Sequence, residues 1–295
     1  MANTFIKPTV IAKMALATLY NDSVMLPLVT RDFDSDFSQA QGDTVTVRKP
    51  ATFTANEYSQ SVGISLQNAT ETSTSVTLNK IYDVSIPITS KDYTLELADF
   101  QSQIIAPAME AISQKVDALI LTLRADISQS VTLGAYNAST KPNPLYDLID
   151  AGRVLTTAKV PRSNRVVVVD EYIGAQWRRD PLSNRADANG STDALREAFI
   201  AGKTFGFDAY ETNNIDDFEG VAFHPSAFVF ASRPLALPRG ASNASVVNYK
   251  GLSVRVVADY DVTYKQDVIS LDILCGVKTL DATRAVVLNG LADSV

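Results

Sequence analysis

Apolar and polar side chains alternate over about 13 residues in the first third of the chain, well beyond the about 5–6 residues of an average strand. The apolar positions are Val76, Leu78, Tyr82, Val84, Ile86 and Ile88, with Lys80 as the only gap. An earlier run alternates in the same way at Val45, Val47 and Phe53. We therefore predict one long ribbon over Asp43–Ile88, whose second strand would be about 40 Å long at roughly 3.3 Å per residue.

The segment between the two arms of this ribbon, Thr54–Ser75, is rich in Ser, Thr, Asn and Gln, and its only charges are Glu57 and Glu71. An isolated two-stranded ribbon is marginally stable and leaves its outer edges unpaired. We therefore expect another copy of the same chain to cover the ribbon.

The strongest helical pattern follows the ribbon. Its apolar residues recur at spacings of four and three, at Ile105, Met109, Ile112, Val116, Leu119 and Leu123. Because proline fits the first turn of a helix and disrupts its interior, this helix is predicted to begin near Pro107 and to end near Ile127, a length of about 30 Å. Shorter helices are predicted from Asp92 and over Thr9–Tyr20.

The second half of the chain has an α/β pattern, beyond a linker at Asn137–Pro144. Helices are predicted over Leu145–Lys159, Glu171–Arg179 and Asp193–Ala201, and a polar surface loop over Asp180–Asp193. Short strands are predicted over Arg165–Val169, around Phe205–Thr212 and around Val221–Phe230. From Gly251 onward the chain is rich in predicted strands, with apolar runs at Val268–Cys275 and Ala285–Leu288.

Composition narrows the class of protein. A chain of 295 residues with 46% hydrophobic residues can form a substantial core. No apolar window approaches the roughly 18 residues of a membrane span, so none is predicted. Met1–Thr4 lacks the charged and apolar regions of a signal peptide, so we expect the protein to remain in the cytosol. The net charge of −7 argues against a protein that coats nucleic acid, but it allows a container whose wall faces DNA without gripping it.

One short motif invites a phosphate-loop interpretation, the tripeptide Gly202-Lys203-Thr204. A phosphate loop also needs a glycine five residues before Gly202, where this chain has Glu197. The motif should also leave a strand and open a helix, whereas this one is predicted to leave a helix and enter a strand. A helix cap followed by a turn is the favoured interpretation.

An acidic segment after the first predicted helix resembles part of a calcium-binding loop. Asp32, Asp34, Asp36 and Asp43 match ligand positions, but Phe37 stands where the loop needs glycine for its turn. A solvated acidic segment is favoured, and a cation site within 32–43 is the alternative.

The remaining chemical candidates favour structural roles. His224 is the only histidine and is expected to pack or to cap a turn. Cys275 is the only cysteine, lies in an apolar run and is expected to be a buried, inert thiol. Trp177 beside Arg178 and Arg179 fits base stacking, but helix packing with extended arginines is favoured. We therefore predict no catalytic, cofactor-binding or metal-binding residue, no cofactor and no enzymatic activity.

Residues Ala194–Ile215 read ALREAFIAGKTFGFDAYETNNI, which is a predicted helix, a glycine, and then a Gly-aromatic strand ending in Asn-Asn. Further parts flank this phrase in a fixed order: Val166–Asp170, Glu171–Asp180, Ala222–Ala227, Gly251–Arg255, Asp259–Asp261 and Ile269–Gly276. The phrase and the order of its flanking parts resemble the major capsid (coat) proteins of tailed double-stranded DNA bacteriophages over nearly the whole chain.

This resemblance implies an α+β chain with the tailed-phage major capsid fold. The implied parts are an N-terminal arm (1–42), an extended β-hairpin loop (43–88), a peripheral domain with a long spine helix (89–140), an axial domain (141–240) and a strand-rich return to the peripheral and axial domains (241–295). It also implies that the Asp180–Asp193 loop lies near a capsomer axis.

The resemblance further implies a structural subunit that assembles with copies of itself as pentamers and hexamers into an icosahedral shell. The shell would enclose double-stranded DNA without sequence-specific binding, would involve no membrane, and would be assembled in the host bacterial cytoplasm as the virion capsid. Because the arm helix begins by Thr9, the resemblance implies a separate scaffolding protein. The further partners expected from the resemblance are a portal and a decoration protein. The alternatives are a cellular nanocompartment shell of the encapsulin type and a soluble α/β enzyme or ligand-binding protein.

Overall fold

The computed structural model of the protein describes residues 23–31, 44–49, 53–61, 63–64, 66–68, 72–89, 106–132, 144–179, 203–216, 218–240, 243–249, 252–264 and 266–289. These residues form three α-helices and thirteen strands, together with short 3-10 helices. The α+β class predicted from the sequence is confirmed.

The helices are α1 (Ala106–Leu121), α2 (Asp147–Thr157) and α3 (Glu171–Arg179). With 16 residues, α1 is about 24 Å long. The chain then tightens into a 3-10 helix over Thr122–Asp126. The predicted spine helix is therefore confirmed as far as Leu121, and its last predicted turn has 3-10 geometry, as is common at helix ends.

The strands in the first half of the chain are β1 (Thr44–Lys49), β2 (Thr72–Thr77), β3 (Lys80–Thr89), β4 (Ser130–Thr132) and β5 (Arg165–Val169). Those in the second half are β6 (Lys203–Thr204), β7 (Phe207–Glu211), β8 (Glu219–Phe223), β9 (Phe228–Arg233), β10 (Asn243–Tyr249), β11 (Leu252–Asp261), β12 (Gln266–Thr279) and β13 (Ala285–Asn289).

The strands form three sheets within the described residues. One is the antiparallel ribbon of β1 and β2. The second has the order β10-β11-β12-β3, and β9 pairs with the C-terminal part of β12, from Leu274 to Thr279. The third is six-stranded, with the order β4-β13-β8-β5-β7-β6. In the third sheet β5 runs parallel to β7 and antiparallel to β8. Both of these neighbours come from much later in the chain.

Two large cores hold the sheets and helices together. The apolar stripe of α1 packs with the inner face of the second sheet and one face of the third, through residues that include Met109, Ile112, Val116, Leu271 and Phe223. The opposite face of the third sheet packs against α2 and α3, through residues that include Leu148, Val167, Val169, Trp177 and Phe207. Because both faces of β5 are covered, all five of its residues are buried, as its uninterrupted apolar sequence predicts.

The prediction of one strand from Val76 to Ile88 is wrong. The chain forms β2 up to Thr77 and starts a separate strand, β3, at Lys80. β2 pairs with β1, whereas β3 pairs with β12 along Gln266–Cys275. The alternation crosses the break because the interruption spans two residues and keeps the phase of the pattern. The free ribbon therefore ends near Thr77 and does not extend to Ile88.

The predicted strand region Val221–Phe230 contains parts of two strands in different sheets. β8 ends at Phe223 and belongs to the third sheet, and β9 begins at Phe228 and pairs with β12 in the second. A 3-10 helix over Pro225–Ala227 makes the turn between them. Proline at the first position of this turn suits its backbone geometry.

Several predicted elements lie outside the described residues. These are the helices over Thr9–Tyr20 and from Asp92, the acidic segment 32–43, most of the Asn137–Pro144 linker, the Asp180–Asp193 loop, and the helix over Asp193–Ala201 with Gly202. They stay predictions.

Candidate assembly surface

The β1–β2 ribbon is attached to the body of the protein by one apolar patch. Val47 and Val76 are buried and pack, together with Leu78, against Val229 and Ala231 of β9. Six residue pairs join the two strands, from Thr44 opposite Thr77 to Lys49 opposite Thr72. The base of the ribbon therefore belongs to the core of the protein itself.

Gly276 allows the ribbon to cross the second sheet. A Cβ atom at this position of β12 would lie 2.2 Å from the backbone oxygen of Thr77 and 3.1 Å from the Cα atom of Leu78. No side chain fits in this space, since the atoms in the way belong to the backbone. The break between β2 and β3 falls at this crossing, so Gly276 fixes where the ribbon leaves the sheet.

Beyond the paired strands the ribbon continues as an irregular hairpin. We call its described residues, 53–61, 63–64 and 66–68, the ribbon tip. The side-chain amide of Gln67 accepts a hydrogen bond from the backbone N–H of Thr54 at 2.9 Å and donates one to the Thr54 carbonyl, as a paired strand residue would. At the end of the hairpin the N–H of Gly63 donates to the carbonyl of Ser59 at 2.8 Å, and Gly63 has a φ of 82° that suits glycine.

The ribbon tip exposes large apolar side chains. Phe53 is 63% exposed, Tyr58 67%, Ile64 81% and Leu66 91%. Every tip residue whose burial the structure describes is exposed, so the tip has no core of its own. Isolated apolar residues on a surface are ordinary, but four large exposed apolar side chains within one short hairpin mark an interaction surface.

A second attachment point holds residues Ser23–Arg31, which we call the N-terminal strap, against α1. The Asp117 carboxylate accepts hydrogen bonds from the Ser23 hydroxyl and from the backbone N–H groups of Val24 and Met25, the latter two at 2.8 and 3.1 Å. The carboxylate is buried, and burial raises its pKa above the ordinary value despite these three hydrogen bonds. All three of these donors are neutral, so they offset only part of the cost of burying the charge.

The strap also reaches β9. Thr30 forms a parallel bridge beside Val229, donating its N–H to the carbonyl of Phe228 at 3.2 Å and accepting from the N–H of Phe230 at 3.1 Å. Its hydroxyl donates to the carbonyl of Pro225 at 2.8 Å. The strap therefore ties α1 to the strand that supports the ribbon.

Polar contacts join the end of α1 to both large sheets. In the 3-10 turn after α1, the Arg124 guanidinium contacts Asp216 and lies 2.7 Å from the Glu219 carboxylate at the start of β8. The hydroxyl of Thr279, the last residue of β12, donates to Asp126 at 2.8 Å. These contacts fix the second and third sheets relative to the spine helix.

The structure places the sequence candidates in structural roles. Lys203 and Thr204 form β6, which pairs with β7 and starts a hairpin, so the phosphate-loop geometry is absent there. The His224 side chain accepts a hydrogen bond from the N–H of Ser226 and caps the following 3-10 helix. Burial lowers the pKa of His224, and nearby Arg284 and Arg165 lower it further. The acidic segment 32–43 lies outside the described residues.

Cys275 and Trp177 are core residues. Burial raises the pKa of the Cys275 thiol to about 12, so the reactive thiolate is scarce at neutral pH. Trp177 belongs to α3 and its side chain is buried, and the neighbouring Arg178 pairs with Glu211 of β7. An indole without an exposed face cannot stack on a nucleic-acid base.

Two further observations concern the described part of the chain. It contains no group of three or more His, Cys, Asp or Glu side chains arranged to hold a metal ion. Nor does it contain a helix with the length and apolarity needed to cross a bilayer.

Comparison with solved structures decides the fold. A structure from Mycobacterium phage Che8 matches with a TM-score of 0.67 and 23% sequence identity, over 90% of this chain and 91% of that chain. The capsid structure of cyanophage P-SCSP1u matches with a TM-score of 0.62 and 11% identity, over 86% of this chain and 85% of that chain. The chain has the tailed-phage major capsid fold.

The same fold extends to a virus-like particle from Pyrococcus furiosus, with a TM-score of 0.53 and 12% identity, over 95% of this chain and 97% of that chain. No protein-family model matches the chain, and no curated protein matches it. The capsid fold is thus established by its three-dimensional arrangement at low sequence identity. Of the features predicted for this fold, the structure describes the spine helix and the ribbon, which is shorter than predicted.

Two residues important for the assembly surface were not singled out from the sequence. Asp117 lies beside the predicted apolar stripe of the helix, where a polar residue normally faces solvent. No sequence signal therefore marked it as buried. Gly276 lies in an apolar run where a strand glycine can mark close backbone approach, which was the available signal.

Proposed function

We propose that this protein is a structural subunit that assembles as pentamers and hexamers into the icosahedral shell of a tailed-bacteriophage head enclosing double-stranded DNA. The observation that carries the proposal is the ribbon tip, whose apolar side chains are exposed on a hairpin without a core of its own. The capsid fold supports the same conclusion.

The tip gains most of its stabilisation by lying on a neighbouring copy. Complete burial of one large apolar side chain contributes about 1.5–3 kcal/mol, so four tip residues together could supply several kcal/mol per contact. A contact between two different surfaces of identical subunits closes into rings, and rings of two sizes close into a shell. A shell repeats this contact at every subunit, so a modest gain per contact stabilises the whole particle.

The charge of the chain fits an enclosing wall. A net charge of −7 disfavours tight binding of phosphates, which needs clustered Lys and Arg. Such a wall encloses DNA without sequence-specific binding and leaves it free to slide during packaging.

The proposal includes the division of the chain into an N-terminal arm (1–42), an extended hairpin loop (43–88), a peripheral domain (89–140), an axial domain (141–240) and a strand-rich return (241–295). It also includes assembly in the host bacterial cytoplasm with a separate scaffolding protein, a portal and a decoration protein. The role of the subunit is structural, not enzymatic.

The double substitution Ile64→Ser and Leu66→Ser tests this function. Both side chains are more than four-fifths exposed, so their loss should leave the thermal stability of the subunit unchanged. Shell yield, measured by sedimentation and negative-stain microscopy after co-expression with the neighbouring gene products, should fall roughly tenfold or more. The matched control is Asn56→Ser with Gln60→Ser, which changes polar residues of the same tip and should assemble normally. Normal shells from the Ile64/Leu66 variant would contradict the proposal.

A cellular nanocompartment shell is the second candidate. The match to the virus-like particle from Pyrococcus furiosus, over 95% of this chain, supports it. The contents of purified particles separate the two functions. Packaged double-stranded DNA or a scaffolding protein favours the phage head, whereas enzyme cargo favours the nanocompartment.

A further inference from the structure

The connection between α2 and β5 is basic in an acidic chain. Residues 151–169 contain no Asp or Glu, whereas the whole chain has a net charge of −7. The cations of this stretch are Arg153, Lys159, Arg162 and Arg165. Arg153 lies 3.9 Å from the Asp150 carboxylate, which partly neutralises it. We call residues 158–164, which join α2 to β5, the basic loop. The other cations lie within this loop or directly after it.

The basic loop carries a lysine at a position where helices usually have glycine. The N–H of Val160 donates to the carbonyl of Leu155 at 3.0 Å. The N–H of Lys159 donates to the carbonyl of Thr156, also at 3.0 Å. These two bonds form a Schellman ending of α2, in which Lys159 takes the left-handed position with a φ of 59°. A Cβ atom is disfavoured in this region, and strained residues of this kind cluster at functional sites. Lys159 is exposed, so packing inside the protein does not explain it.

Arg165 makes this end of α2 favourable for an anion. The last carbonyls of a helix carry partial negative charge, which repels anions. The buried guanidinium of Arg165 donates, at distances between 2.8 and 3.3 Å, to the carbonyls of Gly152, Val160 and Pro161 and to the hydroxyl of Thr156. These acceptors are neutral, so they do not cancel its charge. Burial lowers the pKa of Arg165 and nearby Arg162 lowers it further, but a guanidinium stays charged at neutral pH. Its positive charge therefore offsets the negative potential of the helix end.

The exposed face of the basic loop has the chemistry of a phosphate-binding surface. Residues 161–164 are all exposed, and Arg162, Ser163 and Asn164 carry hydrogen-bond donors. Phosphate oxygens accept hydrogen bonds from Arg, Lys, Ser, Thr and Asn side chains. Val160, the large apolar residue of the loop, is buried, whereas the centre of a protein–protein interface is apolar. The composition of the loop therefore favours a nucleic-acid backbone over a protein partner.

We propose that the basic loop contacts the phosphate backbone of the enclosed double-stranded DNA through Lys159 and Arg162, without reading its sequence. This inference rests on the proposed shell function, because it places the loop on the inner face of the wall. Duplex DNA carries one negative charge per about 1.7 Å of its axis, so DNA in any register offers phosphates to each copy of the chain. Two cations per copy bind weakly, with a dissociation constant of about 10⁻⁴ M or weaker near physiological salt. The DNA can therefore still move along the wall.

The double variant Lys159→Gln with Arg162→Gln tests this contact. Both residues are exposed, so the thermal stability of the chain should be unchanged. Fluorescence anisotropy at low salt measures the binding of a labelled duplex of about 30 base pairs to the full-length chain, and the affinity should fall roughly tenfold or more. The slope of log K against log salt concentration should decrease in magnitude by about 2, and equally for a duplex of different sequence.

The matched control is Lys115→Gln with Lys278→Gln, which removes the same charge from exposed positions on α1 and β12. It should bind the duplex as the wild type does. Lys159→Gly separates charge from strain, because glycine suits the left-handed position. Its melting temperature should stay equal or rise, while its affinity for the duplex should fall.

Three results would overturn the proposal. The first is wild-type binding by the Lys159/Arg162 variant, and the second is an equal loss of binding in the Lys115/Lys278 control. The third is displacement of the duplex by polyglutamate as effectively as by unlabelled duplex, which would indicate an acidic protein partner. A wild-type chain that forms no particles under any condition would instead contradict the shell function itself, so the two failures are distinguishable.

Discussion

At the scale of single residues, two positions determine where the N-terminal strap and the ribbon attach to the body. Asp117 holds the N-terminal strap through three hydrogen bonds, and Gly276 gives room for the ribbon to cross β12. The three hydrogen bonds to this carboxylate offset only part of the free-energy cost of removing its charge from water, so its pKa is raised. A glycine under a backbone crossing cannot be replaced without moving one of the two segments.

Stability around Asp117 should depend on pH. Burial raises the pKa of Asp117 in the folded protein above its unfolded value, so its contribution to stability is complete below about pH 3.9 and is lost as pH rises through the folded-state pKa. Asp117→Asn does not titrate. Its melting temperature should therefore gain on that of the wild type as pH rises from about 4 to about 7.

The control for this pH series is Glu110→Gln, an exposed acid on the same helix. Its melting temperature should follow the wild type at every pH. A difference between Asp117→Asn and the wild type that stays constant with pH would contradict the assignment of the effect to this carboxyl.

Gly276→Ala should destabilise the attachment of the ribbon. The new Cβ atom would meet the Thr77 backbone at a distance that real contacts do not reach, so β2 or β12 must shift. Overpacking of this kind costs about 1–3 kcal/mol in the free energy of unfolding, measured by urea denaturation. Hydrogen exchange of Thr72–Thr77 should accelerate in the same variant.

Gly240→Ala is the matched glycine control, because a Cβ atom there has nothing within 4 Å. Its free energy of unfolding should stay within about 0.5 kcal/mol of the wild type. Equal stability of the two alanine variants would show that the crossing at Gly276 is not tight.

At the scale of elements, the spine helix is the part that the sequence predicts best. Its stripe at Met109, Ile112 and Val116 is buried, because long helical periodicity leaves one face for the core. Val116→Asp would bury an unpaired charge and should lower the free energy of unfolding by several kcal/mol. Gln114→Asp places the same charge on the exposed face and should change little. Soluble, assembled Val116→Asp protein would show that the stripe is not core.

The ribbon shows why the remaining elements were harder to predict. Period-2 alternation identifies β2 and β3 as strands but cannot tell which partner each one pairs with. The two-residue break at Leu78–Asn79 preserves the phase, so the pattern joins strands that belong to different sheets. The pairing of β3 with β12 joins residues that are 177 to 195 positions apart in sequence, which no local pattern encodes.

Shortening the ribbon should separate folding from assembly. Replacing residues 55–66 with an Asn-Gly turn leaves all six β1–β2 residue pairs and the buried patch at Val47 and Val76 intact. The subunit should keep its stability to within about 1 kcal/mol, because every described residue removed is exposed. Sedimentation should nevertheless find no shells. Normal particles from the shortened chain would remove the tip from the assembly contact.

At the scale of the whole molecule, the chain combines a well-packed body with exposed apolar side chains on the ribbon tip. β13 lies next to β4 in the six-stranded sheet, although they are more than 150 residues apart in sequence. The order of motifs along the chain was enough to predict this capsid fold, whereas the exposed surfaces depend on how the sheets come together. The ribbon tip becomes recognisable as a surface only in three dimensions.

The most direct test is a cryo-electron microscopy map of particles assembled from the wild-type chain, resolved well enough to trace the ribbon from Thr44 to Thr77. We predict that Ile64 and Leu66 of each copy lie against the surface of an adjacent copy and are buried there. A map in which the ribbon tip folds back onto its own subunit, or in which it projects into solvent without touching a neighbour, would contradict the account.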